Sequence, residues 1–301
     1  MKIYIEYEFT DSPHGGGNQF LLALKKKFEE MDLYTKNPED SDIILFNGHH
    51  CLEKVMAMRE KYKEKFFVHR LDGLQKLYNN FYDPRQGLAF HMHDNFADAT
   101  IFQSEWAKNN HIKFGLVPKN NSTIIMNAVD DQVFNTNYEK KKNKKIQLIA
   151  VSWSANINKG FDVYSYLDKH LDFEKYSFLF VGNKPELINF ENIEMCGQKT
   201  KEEVAALLKK SDIYITASRH DCCSNSLIEA LSCGLPAVAL NSGGNFEIVK
   251  DAGALFNGSH SVSAAIEAVT EDISKFSKNI KIENMDKISK RYVEFFEQCI
   301  K

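Results

Sequence analysis

The sequence predicts an α/β protein built on parallel sheets, and three observations carry that reading. Short apolar runs such as Asp42-Ile43-Ile44-Leu45-Phe46, Phe178-Leu179-Phe180-Val181 and Asp212-Ile213-Tyr214-Ile215-Thr216 alternate with stretches whose apolar residues recur at helical spacing. Several runs end in Gly or polar residues, the composition that ligand-binding loops take at the carboxyl edge of a parallel sheet. The length of 301 residues suits two domains of ordinary size.

Composition narrows the class. Hydrophobic residues make up 43% and charged residues 26%, which permits packed cores in a soluble protein. A formal net charge of -3 argues against nucleic acid as a bulk partner. No apolar run approaches the roughly 20 residues of a membrane span. The start, Met1-Lys2-Ile3-Tyr4-Ile5-Glu6, reads as a strand and lacks the features of a signal peptide. The cysteines Cys51, Cys196, Cys222, Cys223, Cys233 and Cys299 have no zinc-like spacing. Reduced thiols in a cytoplasmic protein are the reading, and no cofactor is expected.

The first half opens with a strand from Lys2 to Phe9. The turn after it contains Gly15, Gly16 and Gly17, which let the backbone approach a ligand closely. It is not the G-x-G-x-x-G dinucleotide fingerprint. A helix follows with Phe20, Leu21, Leu24, Phe28 and Met31 on one face. The strand Asp42–Phe46 ends at Asn47-Gly48-His49-His50, and a helix spans Cys51 to Lys63. The strand Lys65-Phe66-Phe67-Val68 ends at His69-Arg70-Leu71-Asp72-Gly73. Arg70 suits a phosphate, and Asp72 or His69 can accept a proton from a hydroxyl. The structural alternative is a local Arg70–Asp72 ion pair. His49 and His50 are weaker candidates, and His91 and His93 are placed on a helix before Asp98. Strands follow at Ala99–Phe102 and Ser122–Met126.

Residues 138–145 break all periodicity and carry Lys140, Lys141, Lys142, Lys144 and Lys145. They read as a linker between a first domain, 1–137, and a second, 146–278. Such a run is ordinarily solvated; peripheral contact with an anionic membrane surface is its functional alternative.

The second domain starts with the strand Ile146–Val151 and the loop Ser152 to Gly160, in which Lys159 is placed to meet a phosphate as a point charge. Phe178–Val181 ends in Gly182-Asn183. Thr200 and Glu203 have the spacing of a capping box. Ser261–Phe276 reads as one helix, and the last helix carries Met285, Ile288, Tyr292, Phe295 and Ile300 at helical spacing.

The most informative stretch runs from Ser218 to Pro236. A strand ends at Ala217, a polar loop carries Arg219 and Asp221, and a helix begins at Ser224-Asn225-Ser226 and carries Glu229. Gly234 and Pro236 stop that helix. Carboxylates accept hydrogen bonds from hydroxyls, and a helix amino terminus favours an anion. Acids for hydroxyls beside a terminus for phosphate point to a nucleotide sugar. The alternative is a capped helix with two solvated acids.

Leu227-Ile228-Glu229-Ala230-Leu231-Ser232-Cys233-Gly234-Leu235-Pro236, followed by Ser242-Gly243-Gly244, resembles the acid-x7-acid signature of retaining glycosyltransferases of family 4. Asp221 stands where the family has Glu, and Cys222-Cys223-Ser224 where it has Gly-Phe-Gly. His69-Arg70-Leu71-Asp72-Gly73 resembles the His-Arg-x-Asp-Gly element of a bacterial subgroup. Asn127-Ala128-Val129-Asp130 and Gln103-Ser104 are similar to further family elements.

The resemblance implies the GT-B fold, two Rossmann-like domains with parallel sheets facing across a cleft. The first domain would take a glycan or glycolipid hydroxyl acceptor and the second a nucleotide-diphosphate sugar donor, with residues 279–301 crossing back to the first. It implies metal-independent transfer with retention of configuration. Lys159 matches the family lysine that grips the diphosphate, whereas the arginine ahead of it is replaced at Trp153 and Ser154. Arg70 or Arg219 supplies that charge in this reading. Gly15–Gly17, Gly182, Asn183 and the Ser224–Ser226 backbone border the donor. Glu229 holds the ribose, Asp221 orients the sugar, and Asp72 or His69 contacts the acceptor. A nucleotide-sugar epimerase and a sugar-nucleotide-binding pseudoenzyme are the alternatives.

Overall fold

The computed structural model describes residues 1–10, 16–139 and 143–301. Gly15 and Lys140 to Lys142, named above, lie outside the described residues.

The first half runs β1 (Ile3–Glu6), α1 (Gly16–Glu30), β2 (Ile43–Asn47), α2 (Leu52–Lys61), β3 (Phe66–Arg70), α3 (Gln75–Tyr78), α4 (Pro84–Phe96), β4 (Ala99–Phe102), α5 (Glu105–Lys113) and β5 (Asn121–Ile124). The second half runs β6 (Ile146–Ser152), α6 (Phe161–His170), β7 (Tyr176–Gly182), β8 (Glu194–Gly197), α7 (Lys201–Lys210), β9 (Ile213–Thr216), α8 (Asn225–Ser232), β10 (Ala237–Leu240), α9 (Asn245–Val249), β11 (Gly253–Phe256), α10 (Ser259–Glu271), α11 (Ile273–Lys278) and α12 (Met285–Cys299). The chain forms two compact units, one containing Gly17–Ala128 with Glu283–Lys301, the other Val129–Ile282.

The first unit holds a five-stranded parallel sheet in the order β1-β2-β3-β4-β5. β2, β3 and β4 are short, almost wholly buried and rich in Ile, Phe and Val, as parallel strands covered by helices must be, whereas the edge strand β5 is polar and partly exposed. On one face Phe20, Leu21, Leu24 and Phe28 of α1 and Ile288, Tyr292 and Phe296 of α12 pack on Ile3, Ile5, Leu45 and Val68. The helical stripe of Met285, Ile288, Tyr292 and Phe295 is thus core packing in this unit.

The second unit holds a six-stranded parallel sheet in the order β11-β10-β9-β6-β7-β8. Phe161, Val163, Tyr164 and Leu167 of α6 pack with Phe178 and Phe180 beneath α10. The capping box at Thr200 is present, with both reciprocal hydrogen bonds to Glu203.

Among the boundaries that differ from the sequence reading, three change the description of the units. β3 continues through His69 and Arg70, which pair with Phe46 and Asn47 of β2 instead of opening a loop. The interior polar network described below makes two polar residues compatible with a buried strand. The helix expected over Ser261–Phe276 is two helices, because Asp272 leaves helical geometry and its side chain caps Lys275 of α11. The first strand ends at Glu6 rather than Phe9, since its pairing with β2 stops there.

Candidate functional site

In the second unit the carboxyl ends of β6, β7, β9 and β10 feed four loops. The loop after β6 closes with Gly160 at φ 82, where a Cβ would lie 2.2 Å from the Ala217 carbonyl oxygen. Glycine there lets the Lys159 loop press against the end of β9. Arg219 N–H donates to the Asn158 carbonyl at 2.7 Å and so joins the two loops. Lys159 Nζ then reaches Asp221 Oδ2 at 3.0 Å and Ser218 Oγ at 3.3 Å. The two charged side chains are 19% and 18% exposed, partly desolvated but open to one side.

The acidic loop is held from beyond β10. Gly244 N–H donates to the Asp221 carbonyl at 2.8 Å, His220 N–H to Ser242 Oγ at 3.2 Å, and Asn245 Nδ2 to the Ser218 carbonyl at 3.3 Å. Gly243 has φ 65 and a Cβ there would lie 2.2 Å from the Asp221 carbonyl oxygen. The Gly-rich turn is therefore the seat of the Asp221 loop.

α8 begins at Asn225, with Ser224 as its N-cap. Tyr214, buried in β9, donates to Ser226 Oγ at 2.8 Å, and Ser224 Oγ lies 3.3 Å from Ser226 Oγ. Asp221 and Glu229 both bear on this tyrosine and, after burial, help hold its phenol well above the usual range. Glu229 keeps some exposed surface, yet burial of its carboxyl raises it from 4.5 to about 7. Cys222 and Cys223 are buried and fill space beside the loop.

Four more of the expected residues lie on this edge. Gly182 ends β7 with φ 113, and a Cβ there would strike the Ser152 carbonyl. Asn183 donates to the Trp153 carbonyl at 2.7 Å and accepts from Gln198 at 2.9 Å. Ser154 Oγ caps the turn at Asn156 N–H. The Arg219 guanidinium makes a two-pronged pair with Asp162 of α6 at 2.8 and 2.7 Å, so it lies against the first turn of that helix.

In the first unit a second polar cluster gathers where β2, β3 and β4 end. Arg70 is fully buried, stacks its guanidinium 4.6 Å over Phe20, and donates to Asn47, Asp72 (3.2 Å) and Asn127 (2.6 Å). Asp72 also accepts from Asn47 Nδ2 at 2.9 Å and Gln103 Nε2 at 3.1 Å. The Arg70–Asp72 ion pair is thus real and part of a wider network. His69 is buried, stacked 4.3 Å on Phe46, and its Nε2–H donates to the Gly48 carbonyl at 2.7 Å. Burial holds its imidazole well below 6.5, so it is neutral at physiological pH. His111 donates to the Asp72 carbonyl at 2.8 Å from α5. His93, on α4, reaches Thr100. Gly16 and Gly17 open α1, and the Asn18 side chain accepts from Thr10 N–H and donates to the Thr10 carbonyl.

Sequence reasoning passed over Asn47, Asp162, Ser218 and Gly243 as working parts. Asn47 ends a strand and Ser218 follows one, the signal by which they were findable; Asp162 carried none. Among the described residues no three or more His, Cys, Asp and Glu side chains form a metal-holding group, and no helix is long and apolar enough to cross a membrane.

Two parallel α/β units of this kind are the architecture of the GT-B fold, and solved structures agree. Sucrose-phosphate synthase from Thermosynechococcus elongatus superposes with a TM-score of 0.77 at 12% identity, covering 99% of this chain and 98% of that one. HepE from Anabaena, in complex with UDP and glucose, superposes with a TM-score of 0.74 at 14% identity over 99% and 100%. The family described as glycosyl transferases group 1 matches residues 130–292, more than half of the chain, and the chain belongs to it. Among curated relatives, the phosphatidylinositol N-acetylglucosaminyltransferase GPI3 subunit of Saccharomyces cerevisiae is 26% identical over 217 residues, which is 65% of this chain and 47% of the relative. The chain spans about half the length of the first curated relatives it matches. Neither the epimerase nor the pseudoenzyme alternative is favoured by these matches.

Proposed function

We propose that this chain moves a sugar from a nucleotide-diphosphate sugar to a hydroxyl of a glycan or glycolipid acceptor, with retention of configuration, as the resemblance to family 4 implies. The observation that carries the reading is the Lys159–Asp221 pair, seated beside the amino terminus of α8 on the helix that bears Glu229.

Lys159 neutralises the leaving diphosphate as negative charge grows on it. The backbone N–H groups of Ser224, Asn225 and Ser226 add hydrogen bonds to the same group, helped by the helix dipole. Lys159 exchanges Asp221 for phosphate when donor binds, and Asp221 is then available to orient the sugar. Glu229 accepts the ribose hydroxyls. Gly182, Asn183 and Ser154 shape the floor beneath the donor. Arg219 adds the second positive charge when it leaves Asp162. Arg70 and His69 act from the interior of the first unit by positioning Asp72 and Gly48, and Asp72 receives the acceptor.

The second unit is the donor domain and the first the acceptor domain in this scheme. Transfer proceeds on these side chains with no bound metal, in the cytoplasm, on an acceptor carried at the inner membrane face where it is a glycolipid. The UDP complex of HepE makes UDP-glucose the first donor to test.

The experiment is a thermal-shift screen of UDP, GDP and ADP sugars followed by product analysis. A ligand that binds only the folded form raises Tm. Binding of one donor class and an acceptor-dependent product with the donor's anomeric configuration are expected. An inverted product refutes retention, and turnover without acceptor to an isomerised donor refutes transfer.

A further inference from the structure

A serine at the N-cap of a helix ordinarily turns its hydroxyl over its own first turn and accepts from a backbone N–H there. Ser104 does so before α5, accepting from Ala107 N–H at 3.0 Å. Ser224 holds the same place before α8, and its side chain makes no capping bond. It is 3% exposed, and its Oγ lies 3.3 Å from Ser226 Oγ, which accepts from Tyr214 Oη at 2.8 Å. A row of hydroxyls thus runs from β9 to the N-cap of α8.

The origin of the row is fixed. Tyr214 is 0% exposed, on a strand that lies between β6 and β10. Burial, chiefly, holds its phenol well above the usual range, so it keeps the proton that it donates. Ser226 Oγ, having accepted that proton's hydrogen bond, has its own proton to give to Ser224 Oγ. The Ser224 oxygen that a cap would use is thereby turned towards the sheet. The N–H groups within reach of a cap are those of Ser226 and Leu227, and Ser226 N–H belongs to the diphosphate in the reading above.

We propose that Tyr214 and Ser226 are positioning residues for the donor: they hold the Ser224 hydroxyl off the first turn of α8, so that its N–H groups meet a diphosphate instead of a cap. The inference rests on the transferase reading above and deepens it. Ser224 stands where the resembled family has Gly, which carries no hydroxyl to compete for the turn. The competing group and the side chains that restrain it are therefore features of this chain.

Titration calorimetry of the whole chain with UDP, GDP and ADP tests this. The diphosphate that the wild type binds is then titrated into Tyr214→Phe, Ser226→Ala and each of these combined with Ser224→Gly. Each single variant releases Ser224 to cap its own helix and should weaken binding about fivefold, or about 1 kcal/mol. Adding Ser224→Gly removes the cap and should recover most of that loss. A tyrosine that serves the fold alone lowers Tm and affinity in a way that glycine at Ser224 does not repair. If Tyr214→Phe does not fold, the Ser226→Ala pair makes the same comparison. Wild-type affinity in the folded single variants, or no recovery in the double variants, overturns the proposal alone. Failure of the wild type to bind any of the three nucleotides refutes the transferase reading, and this inference with it.

Discussion

Lys159 Nζ lies 3.0 Å from Asp221 Oδ2, with Ser218 Oγ touching both. The two charges form an ion pair. A diphosphate that takes Lys159 must displace Asp221, which leaves a carboxylate free beside the incoming sugar. Lys159→Ala should therefore cost more than a phosphate contact on an exposed surface. A reduction of kcat by about 30- to 1000-fold is expected, corresponding to about 2–4 kcal/mol of charge stabilisation in the transition state. Single-turnover kinetics with saturating donor check it, and an unchanged rate removes Lys159 from the reaction.

Gly243 sets where Asp221 stands. Gly243→Ala places a methyl 2.2 Å from the Asp221 carbonyl oxygen at a φ of 65. The acidic loop must move, and the strained backbone costs about 1–3 kcal/mol. Donor affinity is expected to fall by more than the loss of stability explains, since the displaced group is Asp221. Calorimetric titration with UDP-glucose at a temperature where the variant is folded measures this; native affinity shows that the turn does not seat the loop.

Asp72 is the counter-ion of a fully buried arginine. Asp72→Asn keeps the shape but leaves the Arg70 charge uncompensated, a change that costs about 3 kcal/mol in buried pairs. The double variant Asp72→Asn with Arg70→Met should recover most of that loss, because the orphaned charge is gone. Urea denaturation of the single and double variants decides it. Additive losses mean that the pair is not coupled.

Glu229 links stability to pH. Its folded carboxyl is raised from 4.5 to about 7 by burial, so between those values the native chain holds a proton that the unfolded chain has lost. Stability contributed by this group is greatest below the unfolded value and falls as pH rises towards 7, by about 3 kcal/mol in total. Glu229→Gln should flatten that slope and raise Tm above neutral pH while weakening donor binding. Thermal scans across pH, with and without UDP-glucose, check both. An unaltered slope means that the carboxyl is not desolvated.

The fold was legible because its evidence is periodic. Parallel strands buried on both faces leave apolar runs, and the Gly234–Pro236 stop and the Thr200–Glu203 box mark helix ends by local chemistry. Lys159 and Asp221 could be placed at the sheet edge because each lies in a loop after a strand, and Glu229 because it lies on the helix that follows the second of those loops. The partners could not. That Arg219 faces Asp162, or that Asn47, Gln103 and Asn127 surround Arg70 and Asp72, depends on strand register and side-chain reach across long sequence separations. His69 and Arg70 looked like loop residues because polar side chains in a strand end are read as exposed. Their burial is permitted by partners at the end of β2 (Asn47, Gly48) and in the loops after β3 and β5 (Asp72, Asn127).

The two units should respond to acid in opposite directions. In the first, His69 lies well below 6.5 and His111 is lowered to about 4, both chiefly by burial. Below about 6.5 the unfolded chain takes up protons that these native imidazoles refuse, so stability rises with pH and is lost as pH falls through the folded values. In the second, Glu229 gives the contrary sign over its own window, stabilising towards acid. His111→Gln removes one titrating group from the first unit while retaining a side-chain amide that can donate to the Asp72 carbonyl. It should shallow the loss of Tm on acidification, whereas Glu229→Gln should deepen it. Differential scanning calorimetry of the wild type and both variants from neutral to mildly acidic pH makes the comparison. Slopes that move the same way in both variants refute the assignment of opposite proton linkage to the two sites.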